Sequence, residues 1–316
     1  MTDLGKIIFP GLGGLEFNPP KGFMIGDFMI HFYGVIIGFG LLLAAIYGLK
    51  RAKQFGIKQD DIYDGIIWIL PLAIICARLY YVWAEADQFQ TFKDVINIRQ
   101  GGLAIYGGVI GAALGIVLFS KFKKINMFAL LDMVALGFMI GQSIGRWGNF
   151  MNREAFGSYC DNFLAMQIRQ TNLANVTGGA DLEYLLENAV TIDGLSYVQV
   201  HPTFLYESAW NAVGFVLLHF LSKKRQYDGQ IALGYVAWYG LGRALIEGLR
   251  MDSLYWGPFR ASQLLAAVTC LVAVVILLLM TLKKHDRSKL YVNYVNKMDA
   301  AAAAAEQVIS AYKESE

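Results

Sequence analysis

The sequence predicts an all-α integral membrane protein of seven transmembrane helices. The N-terminus is expected outside, the C-terminus in the cytoplasm, and a small external subdomain between spans four and five. Three observations carry this expectation. Of the 316 residues, 56% are hydrophobic and 16% charged, with a mean hydropathy of +0.44, whereas soluble domains carry about 25% charged residues. The apolar residues fall in blocks near the roughly 20 residues that a helix needs to cross a bilayer core. The basic residues cluster at every second connection between blocks.

The predicted spans are residues 28–49, 62–83, 102–119, 127–145, 203–221, 230–246 and 261–282. Glycine and polar residues interrupt the third, fourth and sixth. Lys50, Arg51, Lys53 and Lys58 follow span one, and Lys121, Lys123 and Lys124 follow span three. Lys223, Lys224 and Arg225 follow span five, and Lys283, Lys284, Arg287 and Lys289 follow span seven. Short loops rich in Lys and Arg face the cytoplasm, so all four clusters fall inside. Dropping or adding a span would scatter them to both faces.

Domains follow from this layout. Residues 1–282 are expected to form a seven-helix transmembrane domain that includes the external segment 146–202, where the polar stretch 171–188 can build a subdomain. Residues 283–316 form a cytoplasmic, polar and Ala-rich tail, helical or disordered. No basic region leads into a short apolar core before Pro20, so no cleavable signal peptide is expected.

The net charge of +2 is too small to suggest nucleic acid as a partner. Cys76, Cys160 and Cys270 form no CxxC; Cys160 alone lies where exposure is open to it. No metal is expected, because no histidines stand at ligand spacing and no H-E-x-x-H occurs. No internal repeat is visible, which counts against a transporter of inverted halves.

Ionisable groups at membrane depth are costly and point to function by default. Arg78 on span two, Arg146 ending span four, and Arg243 with Glu247 on span six all lie toward the outer side. His31, Tyr33, Tyr106, His201, Tyr206 and Glu207 open spans on that same side, while Asp64 and Asp132 sit near inner ends. Each has a structural alternative. Arg78 can snorkel or bond helix carbonyls, Arg243 and Glu247 can simply pair at a spacing of four, His201 can be an ordinary helix-start residue, and Tyr33 can anchor at the interface. The convergence of arginines on one leaflet suggests an anionic lipid head group, since guanidinium binds phosphate in bidentate fashion.

The densest polar run is Gly145-Arg146-Trp147-Gly148-Asn149-Phe150-Met151-Asn152-Arg153-Glu154-Ala155-Phe156-Gly157. Its glycines allow tight turns and close approach. Arg146 and Glu154 can pair, or divide into phosphate clamp and acid–base group. This run resembles the signature of the prolipoprotein diacylglyceryl transferase family, G-R-x-G-N-F-x-N-x-E-x-x-G, with every fixed position matched. The resemblance extends through His31-Phe32-Tyr33-Gly34, Ala77-Arg78-Leu79-Tyr80-Tyr81 and Gly101-Gly102-Leu103-Ala104-Ile105-Tyr106-Gly107-Gly108. It continues through His201-Pro202-Thr203-Phe204-Leu205-Tyr206-Glu207, Arg243-Ala244-Leu245-Ile246-Glu247 and Ser262-Gln263, covering about residues 26–282. Two departures stand out. Many members carry histidine where this chain has Tyr106, and proline often follows the alanine where this chain has Val134-Ala135-Leu136.

The resemblance implies transfer of the diacylglyceryl group of phosphatidylglycerol to the lipobox cysteine of a prolipoprotein signal peptide. A thioether forms and glycerol-1-phosphate leaves, without a cofactor, at the outer leaflet of the bacterial cytoplasmic membrane. The partners it implies are phosphatidylglycerol, the prolipoprotein and the lipid bilayer. Arg146 and Arg243 are expected to stabilise the leaving phosphate, with Glu154 and Glu247 orienting them or taking protons, and Tyr106 and His201 as candidate bases. Arg146, Asn149, Asn152, Tyr33, Tyr239, Arg78 and His201 are expected to bind phosphatidylglycerol. Two rivals remain. A small-molecule or lipid transporter would need polar groups reaching both faces. A CDP-alcohol phosphatidyltransferase would need an aspartate-rich motif that Asp64-Gly65 begins but does not complete.

Overall fold

The computed structural model describes residues 4–98, 101–174, 176, 180–251, 253, 255–256 and 259–314. Residues 175 and 177–179 of the predicted external stretch and 315–316 of the tail lie outside the described residues. In chain order the elements are β1 (Ile7–Phe9), β2 (Leu15–Phe17), β3 (Gly22–Ile25), β4 (Phe28–His31), α1 (Phe32–Phe55), α2 (Gln59–Ala84), α3 (Phe92–Ile96), α4 (Ile105–Lys123) and α5 (Met127–Asn152). There follow β5 (Met166–Arg169), α6 (Ala180–Glu187), β6 (Val190–Ile192), β7 (Leu195–Val200), α7 (Thr203–Ser222), α8 (Gln230–Glu247), β8 (Tyr255–Trp256), β9 (Phe259–Arg260), α9 (Ala261–Thr281) and α10 (Tyr291–Glu314).

Among the described residues, six helices are long and apolar enough to cross a membrane: α1, α2, α4, α5, α7 and α9. Helix α8 coincides with the predicted sixth span but falls outside that group. Its 18 residues extend about 27 Å at 1.5 Å per residue, close to the hydrocarbon thickness of a bilayer. Its hydropathy is lowered by Gln230, Arg243 and Glu247. Among the boundaries that move, two bear on the site. Span one begins at Phe32, because residues 28–31 pair as strand β4 with β3. Span four continues to Asn152, so the signature from Gly145 through Asn152 is helical.

The chain divides into two compact units, Met1–Ile46 with Ala135–Lys224 and Gln230–Lys284, and Tyr47–Val134 with Arg225–Gly229 and His285–Glu316. The first unit holds an antiparallel sheet of order β2-β1-β5-β7-β6. The sequence placed a subdomain between spans four and five; the sheet takes its two further strands, β1 and β2, from the N-terminal segment. These strands are three residues long, too short for an alternation to be read. Ile8 and Ile7 pair with Gln167 and Ile168, and Met166 pairs with Val200. Asp193-Gly194, both left-handed, turn β6 into β7, as a tight hairpin requires. Ile7, Phe9, Met166, Ile168, Val198 and Val200 form the sheet's core with Phe150 at the end of α5 and Phe204 at the start of α7. The sheet thus fixes the ends of the two helices that carry the polar run and Glu207.

Helices α7 and α8 lock through a tryptophan exchange. Trp210 and Trp238 stack at 4.5 Å, and each indole N–H donates to the other residue's carbonyl at 2.9 Å. A Cβ on Gly214 would stand 2.3 Å from Trp238, and one on Gly242 would stand 2.2 Å from Trp210. Glycine on each helix therefore makes room for the other's indole, the close approach that membrane helices use in place of a hydrophobic driving force.

In the second unit, Gly107, Gly111 and Gly115 of α4 form a stripe against Cys76 and Ile69 of α2, where a Cβ would come within 2.4 to 3.1 Å. Asp64 pairs with Lys123, which also lies 3.5 Å from Asp61. Asp132 accepts from the Gly229 amide at 2.9 Å and lies 3.9 Å from Arg225, whose guanidinium covers Phe55. The polar tail is helical as α10. Its first residue, Tyr291, donates its amide to Asp228 at 2.8 Å, and Val292 packs where Gly56 has no side chain.

Candidate active site

The sequence pattern of α5, α7 and α8 puts ionisable side chains where a membrane helix must neutralise them. Glu207 on α7 is 3% exposed and Glu247 on α8 is 2% exposed. A carboxylate so buried needs cationic partners, and both have them. Glu207 meets Arg146 of α5 at 2.5 Å, Arg243 of α8 at 3.3 Å and Arg250, just past α8, at 3.2 Å. Glu247 meets Arg243 at 2.6 Å and Arg250 at 4.0 Å. Arg260 donates to the backbone carbonyls of Glu247, at 2.6 Å, and of Arg250. The i,i+4 pair between Arg243 and Glu247 forms as their spacing allows, but it is one edge of a larger network.

The carboxylate partner of Arg146 is Glu207 rather than Glu154. Glu154 instead accepts from Asn149 at 3.0 Å and Asn152 at 3.2 Å, and Arg146 reaches Asn149 at 3.5 Å. The four polar residues of the signature thus form one connected chain. Four guanidinium groups (Arg146, Arg243, Arg250, Arg260) and three carboxylates (Glu154, Glu207, Glu247) leave one formal positive charge. Arg146 and Arg243 keep nearly a fifth of their side-chain surface open, at 19% and 18%, whereas the carboxylates between them are covered. Around Glu207 and Glu247 the anions are covered and the cations partly open, as an anionic ligand requires, while Glu154 at the edge is exposed.

The signature glycines serve close packing. Gly145 and Gly148 lie within the helix and face α1, where a Cβ would meet Ile37 at 3.0 Å and the Tyr33 ring at 2.7 Å. Tyr33 is thereby laid beside the turn that carries Arg146 and Asn149. Gly157 donates its amide to the His201 carbonyl at 2.9 Å and bridges Arg250, and a Cβ there would strike His201 and Leu249. This crossing ties the signature loop to the segments before α7 and after α8. Arg153, at a variable signature position, is 2% exposed and left-handed. It donates to the carbonyls of Pro19, Met151 and Gly5 at 2.5, 2.7 and 2.9 Å and to the Asn18 side chain at 3.1 Å.

His201 brings Nδ1 to 3.3 Å from the Tyr206 hydroxyl, which also accepts from Asn162 at 3.3 Å. Burial lowers the His201 pKa below the ordinary imidazole value. Tyr239 stacks on Tyr235, which stacks on Phe138. Cys160 is buried at 5%, and burial pushes its thiol pKa up, away from reactivity.

Arg78 and Tyr106 belong to the second unit. Arg78 donates from Nε to the Val95 carbonyl, from Nη1 to those of Gly101 and Gly102, and from Nη2 to those of Asp94 and Asn97, all at 2.7 to 3.1 Å. A guanidinium has five N–H donors, so none remains for a phosphate. In the structure Arg78 makes the carbonyl bonds of the alternative that its sequence left open, and the side chain orders the connection between α2 and α4. Tyr106 stands in the first turn of α4, 46% exposed, with its ring 6.4 Å from Tyr80. Sequence reasoning missed three residues of the network, Glu207 as its hub, Arg250 and Arg260. Glu207 was visible as a membrane-depth carboxylate; Arg250 lies past the span and gave no separate signal.

Helices of membrane length, with guanidinium groups ordered around buried carboxylates at one helix end, define a membrane enzyme or carrier for an anionic ligand. The family model of prolipoprotein diacylglyceryl transferase matches residues 20–279. The chain belongs to that family. It is 39% identical over 273 residues to a phosphatidylglycerol–prolipoprotein diacylglyceryl transferase of Listeria welshimeri, covering 86% of this chain and 93% of the relative. It is 39% identical over 283 residues to the protein of that name from Limosilactobacillus reuteri, covering 88% and 96%. The Bacillus cytotoxicus protein of that name is 38% identical over 255 residues, covering 80% and 89%.

Proposed function

We propose that this chain transfers the diacylglyceryl group of phosphatidylglycerol to the cysteine thiol of a prolipoprotein lipobox. The observation that carries the reading is the guanidinium network around Glu207, joined to the family signature through Arg146 and opened to a ligand at Arg146 and Arg243. The chain is a transferase of its family, and the transporter alternative is not favoured.

The reaction forms a bond from sulfur to the glyceryl carbon and breaks that carbon's bond to the phosphate oxygen. The electron pair leaves on the phosphate, and the thiol proton ends on it or in water. Charge therefore grows on the departing phosphate, and fixed guanidinium groups lower the barrier because they are already oriented. Arg146 and Arg243 take this role. Asn149 and Asn152 help hold the head group, with Tyr33 and Tyr239 beside it. Glu154, Glu207 and Glu247 aim the cations. The thiol has a reference pKa of about 8.5, and a net positive site shifts it toward thiolate. His201 and Tyr106 stay as base candidates; a tyrosine, with a reference pKa of about 10, makes the weaker base.

The membrane layout follows from the same reading. Helix α8 is the sixth of seven spans, the four basic clusters face the cytoplasm, and the site and the sheet lie at the outer leaflet of a bacterial cytoplasmic membrane. Residues 1–282 are the catalytic domain and 283–316 its cytoplasmic tail.

Arg146→Ala and Arg243→Ala are each expected to lower release of glycerol phosphate by more than 100-fold while the protein still inserts. The assay uses purified protein, phosphatidylglycerol and a lipobox peptide. Near-normal release from either variant would remove that residue from the reaction.

A further inference from the structure

Strands β3 and β4 form a two-stranded hairpin directly before α1, with no residue between His31 and Phe32. Its register pairs Phe23 with Ile30, Met24 with Met29, and Ile25 with Phe28. Successive side chains in a strand point to opposite faces. Phe23, Ile25, Phe28 and Ile30 therefore share one face, and Met24 and Met29 the other, so both faces are apolar. Ile25 is 60% exposed, Phe28 54%, Met24 48% and Phe23 42%. The polar groups sit at the two ends: Gly26-Asp27 at the tip, and Lys21 and His31 at the base. An isolated two-stranded hairpin is marginal in water, and here Met24, Ile25 and Phe28 stay exposed, while Phe23 meets the Phe32 ring at 5.6 Å.

We propose that the β3–β4 hairpin lies in the bilayer interface with its apolar side chains among phospholipid acyl chains, and guides the lipid substrate to the site. Three features argue for lipid as the occupant. The hairpin runs straight into an apolar span, α1, whose own surface is largely uncovered. Its polar ends bracket a stretch of only a few residues, which suits an element lying flat at the head-group boundary. Its outer backbone edges exclude the hydrocarbon centre, where open strand edges cannot be satisfied. The link to the site is short. Lys21 accepts the Phe32 amide at 2.9 Å, closing the hairpin's base, and Tyr33 one residue on packs its ring on Gly148 between Arg146 and Asn149. A lipid whose chains lie along the hairpin would place its head group beside that turn. The guiding role rests on the proposed function; the lipid contact does not.

The test uses the full chain carrying a benzophenone amino acid at position 25 or 28, reconstituted in phosphatidylglycerol–phosphatidylethanolamine vesicles and irradiated. Phospholipid adducts are expected at both positions and not at position 306, an exposed site on α10. Absence of lipid adducts at 25 and 28, or cross-links to protein alone, overturns the proposal. Adducts form without catalysis, so a chain that makes them yet transfers nothing refutes the proposed function and leaves the lipid contact standing. For the guiding role, the double variant Ile25→Asp and Phe28→Asp should raise KM for phosphatidylglycerol at least fivefold, with kcat within twofold. An unchanged KM overturns the guiding role.

Discussion

Glu207 concentrates the electrostatics of the site in one side chain. Three guanidinium groups converge on its buried carboxylate, so removing its charge leaves cations facing one another without a counter-ion. Breaking a buried ion pair from one side costs about 3–5 kcal/mol. Glu207→Gln is therefore expected to lower Tm and cut transfer at least tenfold, whereas Glu207→Asp should recover part of both. Equal behaviour of the Gln and Asp variants would mean that charge at this position is not what orders the arginines. His201 carries a second, independent prediction. Burial favours its neutral form, so its folded pKa lies below the unfolded value of about 6.5. Between the two values the unfolded chain binds more protons. The contribution of His201 to stability is thus present above about pH 6.5 and lost as pH falls through the folded value. Tm in detergent should hold level near pH 7 to 8 and drop on the acid side, with a smaller drop in His201→Gln. The same acid slope in that variant would show that other groups set it.

The signature's structural work lies at the level of elements. Gly145 and Gly148 let α1 lie against α5, and Gly157 lets three backbone segments cross. Arg153 fastens the N-terminal segment to the end of α5 through three acceptors, the carbonyls of Gly5 and Pro19 and the Asn18 side chain. Leaving buried acceptors unpaired costs about 1–3 kcal/mol each. Arg153→Ala should therefore destabilise the chain by at least about 3 kcal/mol and expose residues before Pro20 to protease, and resistance equal to the unsubstituted chain would contradict this role. Element type and position were legible along most of the chain, because membrane helices announce themselves by apolar length. The sheet was not. Strands β1 and β2 are three residues each, and β1 pairs with β5 more than 140 residues away, which no local pattern encodes. The arginines were legible as membrane-depth charges, but their partners were not. Arg78 and Arg146 look alike in sequence; only the fold gives one to five carbonyls of the connection between α2 and α4 and the other to a buried glutamate.

At the scale of the whole molecule, the chemistry and the membrane fit together. Both proposed substrates are anchored in lipid, one by acyl chains and one by a signal helix, so neither can diffuse into a closed aqueous cleft. A site at the ends of α5, α7 and α8 can meet both in the membrane plane. The sheet holds the ends of α5 and α7 there, and the tryptophan exchange holds α8 to α7. Net positive charge at the site is then the property on which the function turns. The most direct measurement reconstitutes the purified chain with phosphatidylglycerol and a lipobox peptide and weighs the peptide. The expected result is a mass gain of one diacylglyceryl unit on the cysteine, with glycerol phosphate released in equal amount. A folded, inserted protein that leaves the cysteine unmodified would contradict the account.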